Sequence, residues 1–344
     1  MQYQPLGNTG LYVSRLCLGA MTFANPEDGV ASQIIGATGQ ELADKMVGTA
    51  LDAGVNFFDT ANVYSNGTSE IMLGKALKSR REDAIIATKV YNTYSNEINA
   101  LGTSRLSIMR EVEKSLTRLQ TDWIDLYQVH LFDQTTPLEE TLRALDDCVR
   151  QGKVRYIGLS NFAAWQIAKA DGLARQLGTE RFCSVQAYYS LVGRELEREI
   201  LPAVRDLGIG TMIWSPLAGG FLSGKYSGGE ASEGRRKAFN FPPVDLEKGD
   251  AIISVVRKIA EAHNATCAQV SLAWLLHQGG VTSVIVGARK HEQLLDNLAA
   301  IDLELSEAEL AELDEASQLM PEYPQYFPPS PRGKSLLDMM ADMF

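Results

Sequence analysis

Cysteine and histidine are both scarce in this chain, four of each among 344 residues. Cys17, Cys148, Cys183 and Cys267 make no CxxC or other close pair, so they read as reduced, mostly buried thiols rather than as a redox or zinc motif. A metal-dependent hydrolase wants several His or acidic ligands at strand ends. Only His130 is placed so; His263, His277 and His291 fall on or near expected helices, and no metal is expected. Positive charge is also short, 32 Lys and Arg against 43 Asp and Glu. The net charge of −11 opposes attraction to a phosphate backbone and argues against a nucleic-acid partner. No apolar run is long enough to cross a bilayer, and no basic stretch precedes an apolar one near residue 1. The expectation is a cytoplasmic protein without a membrane partner. A dinucleotide fingerprint of the GxGxxG kind is missing too, since Gly208-Ile209-Gly210 stops short and precedes a strand.

What the chain does have is alternation. Short β-type runs cover Leu16–Gly19, Phe57–Asp59, Ala84–Lys89, Trp123–His130, Val154–Ser160, Ser184–Tyr188, Thr211–Trp214 and Ser283–Val286. Between them lie helical stripes, such as Ile108, Val112, Leu116 and Leu119, or Leu138, Leu142, Leu145 and Val149, or Ile200, Val204 and Leu207. Strand alternating with helix eight times predicts an α/β fold, a parallel (β/α)8 barrel. Ahead of it, Gln2 to Ser14 reads as a hairpin around Gly7-Asn8-Thr9-Gly10. The segment from Ala24 to Gly39 is longer than an ordinary strand-to-helix loop. Ile252, Val255, Val256 and Ile259 mark a helix, and Val270, Ala273 and Trp274 a further one, so one helix is extra to the repeat. No stretch resembles an interdomain linker, which predicts a single domain over 1–344, with a hairpin at 1–15 and a tail at 319–344. That tail carries Tyr323, Tyr326 and Phe327 among prolines, then Leu336, Met339, Met340 and Met343. A lid, an oligomer contact and a docked terminus all fit it, and the oligomeric state stays open.

Three of the strand runs end on ionisable residues: Asp59, Lys89 and His130, with Tyr64 in the loop after Asp59. Strand ends are where parallel α/β folds place their chemistry. A phenol is a reluctant acid at neutral pH, and a neighbouring cation lowers its pKa toward the useful range. Lys89 supplies the cation, Asp59 holds it charged and oriented, and His130 can hydrogen-bond a substrate oxygen. Nothing in this set is a strong nucleophile. It suits protonation of an oxygen while a cofactor delivers electrons.

These motifs resemble those of the aldo-keto reductase family. Gly54 to Tyr64, with Gly67 and Ser69-Glu70 following, is similar to the family's Asp-to-Tyr segment. Thr88-Lys89 is similar to its lysine motif, and Asp125 to His130 to its histidine motif. The resemblance runs from the hairpin to about Asn297. It implies Tyr64 as general acid, tuned by Lys89 and Asp59, with His130 orienting the carbonyl. It also implies NADP, preferred over NAD, held without a Rossmann domain. Ser160, Asn161 and Gln186 would hold the carboxamide and Trp214 would stack on the nicotinamide; Met21 and Thr22, after the first strand, are candidates to touch the nicotinamide or the substrate, or simply to pack the loop. Ser215, Leu217, Gly219 and Lys225 would wrap the pyrophosphate, with Arg235 or Arg236 closing over it. Gly219 to Lys225 has P-loop spacing, yet Tyr226 stands where a Ser or Thr is required, so no nucleoside triphosphate site is expected. Gly287, Arg289, Gln293 and Asn297 would take the adenosine end, Arg289 lying near the 2′-phosphate. There the chain departs from branches with a Lys-Ser pair and is more similar to bacterial-type reductases and potassium-channel β subunits.

Tyr91, Phe132 and Trp165, just past strand ends, are candidates to line a mostly apolar substrate pocket or simply to pack loops. The resulting expectation is an NADPH-dependent enzyme reducing an aldehyde or ketone, or oxidising a secondary alcohol in reverse. A small molecule larger than a short aldehyde suits the long loops. The alternative is an NADP(H)-binding regulatory subunit with incidental turnover.

Overall fold

The computed structural model of the chain describes residues 1–225, 236 and 239–324. A two-stranded antiparallel hairpin, β1 (Tyr3–Pro5) and β2 (Tyr12–Ser14), precedes a closed parallel barrel. The barrel strands are β3 (Leu16–Gly19), β4 (Phe57–Asp59), β5 (Ile85–Val90), β6 (Ile124–Val129), β7 (Val154–Ser160), β8 (Phe182–Tyr188), β9 (Gly210–Trp214) and β10 (Ser283–Val286). Each pairs with its sequence neighbour, and β10 closes onto β3 through Val284 opposite Leu16. The eight expected strands are these eight, with ends moved by no more than two residues.

Helices α1 (Val30–Ile35), α2 (Gly39–Asp52), α3 (Thr68–Leu77), α4 (Arg105–Leu119), α5 (Leu138–Arg150), α6 (Ala164–Leu177) and α7 (Ile200–Leu207) are followed by α8 (Leu246–Ala262), α9 (Cys267–His277), α10 (His291–Ala299) and α11 (Glu307–Ser317). Their apolar stripes bury against the outer face of the strands. Ile108 and Val112 of α4 and Leu142 and Leu145 of α5 are fully buried, as their spacing requires. Each such side chain contributes about 1.5–3 kcal/mol by leaving water. The helix expected as extra to the repeat is α8, which buries Ile252, Ile253, Val256 and Ile259; α1 and α11 exceed the repeat as well. Two short elements lack a stripe that sequence could reveal. Helix α1 interrupts the expected Ala24–Gly39 loop, and α11 opens on a capping box between Ser306 and Glu309.

Inside the barrel the period-2 alternation of strands stacks two layers. The lower layer is apolar: Cys17, Phe57, Ala87, Leu126 and Met212 pack with Leu6 and Val13 of the hairpin. The hairpin therefore plugs the N-terminal mouth, with Asn8 N donating to Gly208 O at 2.8 Å. Gly7 is obligatory there: its φ is +59°, and a Cβ would lie 2.6 Å from Cys183 O. Two residues along each strand, the next layer holds Asp59, Lys89, Gln128 and Trp214 at the opposite mouth. A cavity of about 460 Å3 lies at the hairpin end, lined by Gln4, Arg15 and Arg205 among others, away from these groups.

Candidate active site

Asp59, Lys89 and His130 come from three adjacent strands, since Asp59 stands opposite Ala87 and Lys89 opposite Gln128 in the parallel register. The side chain of Lys89 is fully buried. Its Nζ donates to Asp59 Oδ2 at 2.6 Å and to Thr60 O at 2.8 Å, and lies 3.4 Å from the Tyr64 hydroxyl. The remaining oxygen of Asp59 accepts from Gln186 Nε2 at 2.7 Å and from Gln128 Nε2 at 3.2 Å. Burying two charges costs several kcal/mol per ion unless pairing and further hydrogen bonds compensate, and here both partners are filled. Burial by itself lowers the Lys89 pKa. Asp59 and Tyr64 outweigh it and hold the ammonium above its ordinary range.

Tyr64 and His130 meet edge to face, with ring centroids 6.0 Å apart. Desolvation, with a contribution from Lys89, pulls the His130 pKa down to about 3, so the imidazole is neutral at physiological pH. Asn92 Nδ2 approaches His130 Nδ1 at 3.4 Å. If that amide donates, the ring proton is on Nε2, a tautomer assigned from the hydrogen bonding. An ammonium, a phenol and a neutral N–H donor thus share one mouth. Cys17, beneath them, is held well above the ordinary thiol range by burial, then by Asp59, and is inert as a thiolate.

Most of the other expected residues lie at or after the C-terminal ends of the barrel strands. Asn161, at φ +57°, donates from Nδ2 to His130 O and to Ser160 Oγ, each at 3.0 Å, and accepts from Trp214 Nε1 at 3.0 Å. Trp214 stacks on Phe241 at 5.8 Å, and Tyr188 leans against it at 5.0 Å. Gln186 is spent on Asp59 inside the barrel rather than presented at the rim. Thr22 Oγ1 donates to Ala288 O at 2.8 Å, which ties the first loop to the turn after β10. In that turn Gln293 Oε1 accepts from the amides of Arg289 and Lys290, and Asn297 Nδ2 reaches Gly287 O at 3.3 Å. Arg289 donates to Ile35 O at 2.7 Å and also to Ile34 O.

Past Trp214, Ser215 Oγ accepts from Gly219 N at 3.0 Å, and the amides of Ala218 and Gly220 bond to Ser215 O and Leu217 O. These amides serve the turn itself, which left-handed Ala218, Gly219 and Gly220 make tight. Arg236 is buried, donating to Ala218 O and Pro242 O at 2.9 Å each, so it holds the segment from within. Lys225 is exposed, whereas Tyr226 and Arg235 lie outside the described residues. Tyr91 is half-buried at φ +140°. Phe132 packs edge to face on Phe162 at 5.2 Å and on Trp165 at 5.8 Å.

The donor set suits a phosphate-bearing dinucleotide. Arg289 is half-buried and Lys225 exposed, so each offers a cation to such a ligand. A Cβ on Gly287 would meet nothing within 4 Å, which leaves the backbone there open to close approach. Thr60, Asn92 and Gln128 escaped sequence reading as site residues. For Gln128 a signal existed: Leu126, Gln128 and His130 share one strand face. No cluster of three or more His, Cys, Asp or Glu suited to a metal ion, and no helix long and apolar enough to cross a membrane, occurs among the described residues.

The sequence profile described as "Aldo/keto reductase family" matches residues 15–318. An uncharacterized oxidoreductase of Bacillus subtilis is 39% identical over 329 residues, covering 92% of this chain and 95% of its own. Norsolorinic acid reductase of Aspergillus flavus is 33% identical over 328 residues, covering 93% and 82%. The "Probable voltage-gated potassium channel subunit beta" of Arabidopsis thaliana is 35% identical over 341 residues, covering 95% and 100%.

Proposed function

We propose, from the premise that this chain belongs to the aldo/keto reductase family and is an NADP(H)-dependent oxidoreductase of small carbonyl or alcohol substrates, that it reduces aromatic aldehydes or ketones with Tyr64 as the proton donor. The observation that carries this reading is the Lys89 ammonium, buried and held between Asp59 and the Tyr64 hydroxyl. When bound, NADPH supplies the electron pair that converts carbonyl carbon to carbinol. His130, neutral and a hydrogen-bond donor, orients the carbonyl oxygen. Tyr64 gives that oxygen its proton, and Lys89 stabilises the phenolate left behind. Asp59, anchored by Gln186 and Gln128, keeps Lys89 charged through the cycle. Asn161 and Trp214 would hold the nicotinamide end, and Arg289 and Lys225 the phosphates.

The aromatic preference is supported by rings at the catalytic rim. Trp165, packed on Phe132, is 61% exposed, and Phe239 and Phe241, packed on each other, are 45% and 41% exposed. A panel of aromatic aldehydes, aryl ketones, sugars and short aliphatic aldehydes, followed by NADPH consumption, tests the proposal. Sustained turnover with aryl substrates favoured is expected; equal rates across the panel contradict the substrate class. A second reading, a regulatory subunit, draws on the likeness to the channel subunit of Arabidopsis. It requires that no substrate in the panel sustain more than one turnover.

A further inference from the structure

The loop that carries Tyr64 is strained. Ser65, Asn66 and Gly67 follow one another with φ of 46°, 52° and 91°. Two non-glycine residues in the left-handed region cost about 1–2 kcal/mol each, and such a run persists only where the surroundings over-determine it. A side chain of α4 packs against the last residue of that run. Arg118, on the last turn of α4, packs against Gly67 so closely that a Cβ there would lie 2.6 Å from Arg118 Cδ. The same guanidinium donates from Nε to Glu70 Oε2 at 2.5 Å and lies 3.7 Å from Glu111 Oε2.

Both carboxylates reach forward to the site. Glu70, fully buried, accepts from Thr88 Oγ1 at 2.6 Å through its other oxygen, and Thr88 precedes Lys89. Glu111 accepts from Asn62 Nδ2 at 3.2 Å, and Asn62 lies two residues before Tyr64. One arginine thus braces the Tyr64 loop at Gly67, the strand of Lys89 through Glu70, and the approach to Tyr64 through Glu111. The two ends of the critical 3.4 Å contact, phenol and ammonium, are tied to a common anchor.

We infer that Arg118 is a positioning residue, which sets the distance between the Tyr64 hydroxyl and Lys89 through Gly67, Glu70 and Glu111. This inference rests on Tyr64 being the proton donor. It assigns a task to the Ser69-Glu70 motif, of which Ser69 closes the opposite side by donating to Ala20 O at 2.7 Å. Misplacing reacting groups by a fraction of an ångström to an ångström costs up to about a hundredfold in rate.

The test compares Arg118→Met, Arg118→Lys and the pair Arg118→Met with Glu70→Gln against wild type and Tyr64→Phe. The paired variant avoids stranding the Glu70 carboxylate, so folding is not asked to bury a lone charge. Turnover of an aromatic aldehyde, NADPH affinity by tryptophan quenching, and the pH dependence of kcat are measured on each folded variant. Expected is a fall in kcat of about ten- to a hundredfold, with NADPH affinity unchanged. The alkaline limb of kcat should move to higher pH, because a more distant ammonium acidifies the phenol less. Unchanged kcat in the paired variant, or a fall in kcat with the alkaline limb unmoved, overturns the role of Arg118. Full turnover by Tyr64→Phe would instead overturn the proton-donor reading, and the inference with it.

Discussion

In the proposed chemistry Lys89 is the central residue, because it carries a full charge with no surface in water. Asp59 stabilises that charge at 2.6 Å, and the Tyr64 hydroxyl, 3.4 Å away, is the group proposed to be acidified by it. Tyr64→Phe keeps the ring that packs against His130 and removes the hydroxyl with its proton. Turnover should fall by about a hundred- to ten-thousandfold, while NADPH titrates as in wild type; lost cofactor affinity would contradict the assigned role. His130 makes a separate prediction. Its native pKa of about 3 lies below the ordinary histidine value near 6.5. Between those values the unfolded chain binds a proton that the native protein refuses, so this residue's contribution to stability shrinks as pH falls through that window. Its imidazole NMR signals should stay constant from about pH 8 to 5; a titration centred near the ordinary value would show a solvated, chargeable ring.

At the scale of elements, the short helix α1 and the turn between β10 and α10 form one unit. Arg289 bonds the carbonyls at the end of α1, and Gly36, at φ +116°, lets the chain pass over the guanidinium stem, where a Cβ would lie 2.9 Å from Nε. Removal of Arg289 should therefore act twice. In Arg289→Ala, NADPH affinity should drop about tenfold or more with NADH affinity nearly unchanged, since a forked cation pairs with a phosphate that NADH lacks. Amide exchange across residues 34–36 should quicken in the same variant. Equal weakening of both cofactors would mean that Arg289 does not read the 2′-phosphate. A similar clasp ties the loops after β5 and β6. Asp133 accepts from Thr103 N, Thr135 N and Thr136 Oγ1 at 2.8 Å each, and these bonds overcome burial to hold its pKa below the carboxylate range.

For the whole molecule, closure of the barrel is what turns eight separate strand ends into one mouth, and a ligand bridging several of them stabilises all of them together. NADP+ at about a thousand times its Kd should add about 4 kcal/mol to the unfolding free energy. The rise in Tm should be larger than with NAD+ at the same concentration; no rise would place the dinucleotide off the native fold. Much of this architecture was legible in the residues. Alternation of strand and helix was visible because parallel strands buried on both faces are nearly continuous apolar runs. Asp59, Lys89 and His130 were visible because ionisable residues interrupt those runs at their ends. Alpha1 was not, since six residues without an amphipathic stripe carry no periodic signal. Nor were the bracing groups. Gln186 reaches Asp59 across 127 positions, and Arg118 reaches Glu70 across 48. Local pattern determines which residues form a strand and which face they take, because pleat and helical period are properties of a few consecutive residues. Only the closed barrel decides which distant side chains fill the hydrogen bonds of a buried charge, because that choice depends on register and packing between elements that share no sequence neighbourhood.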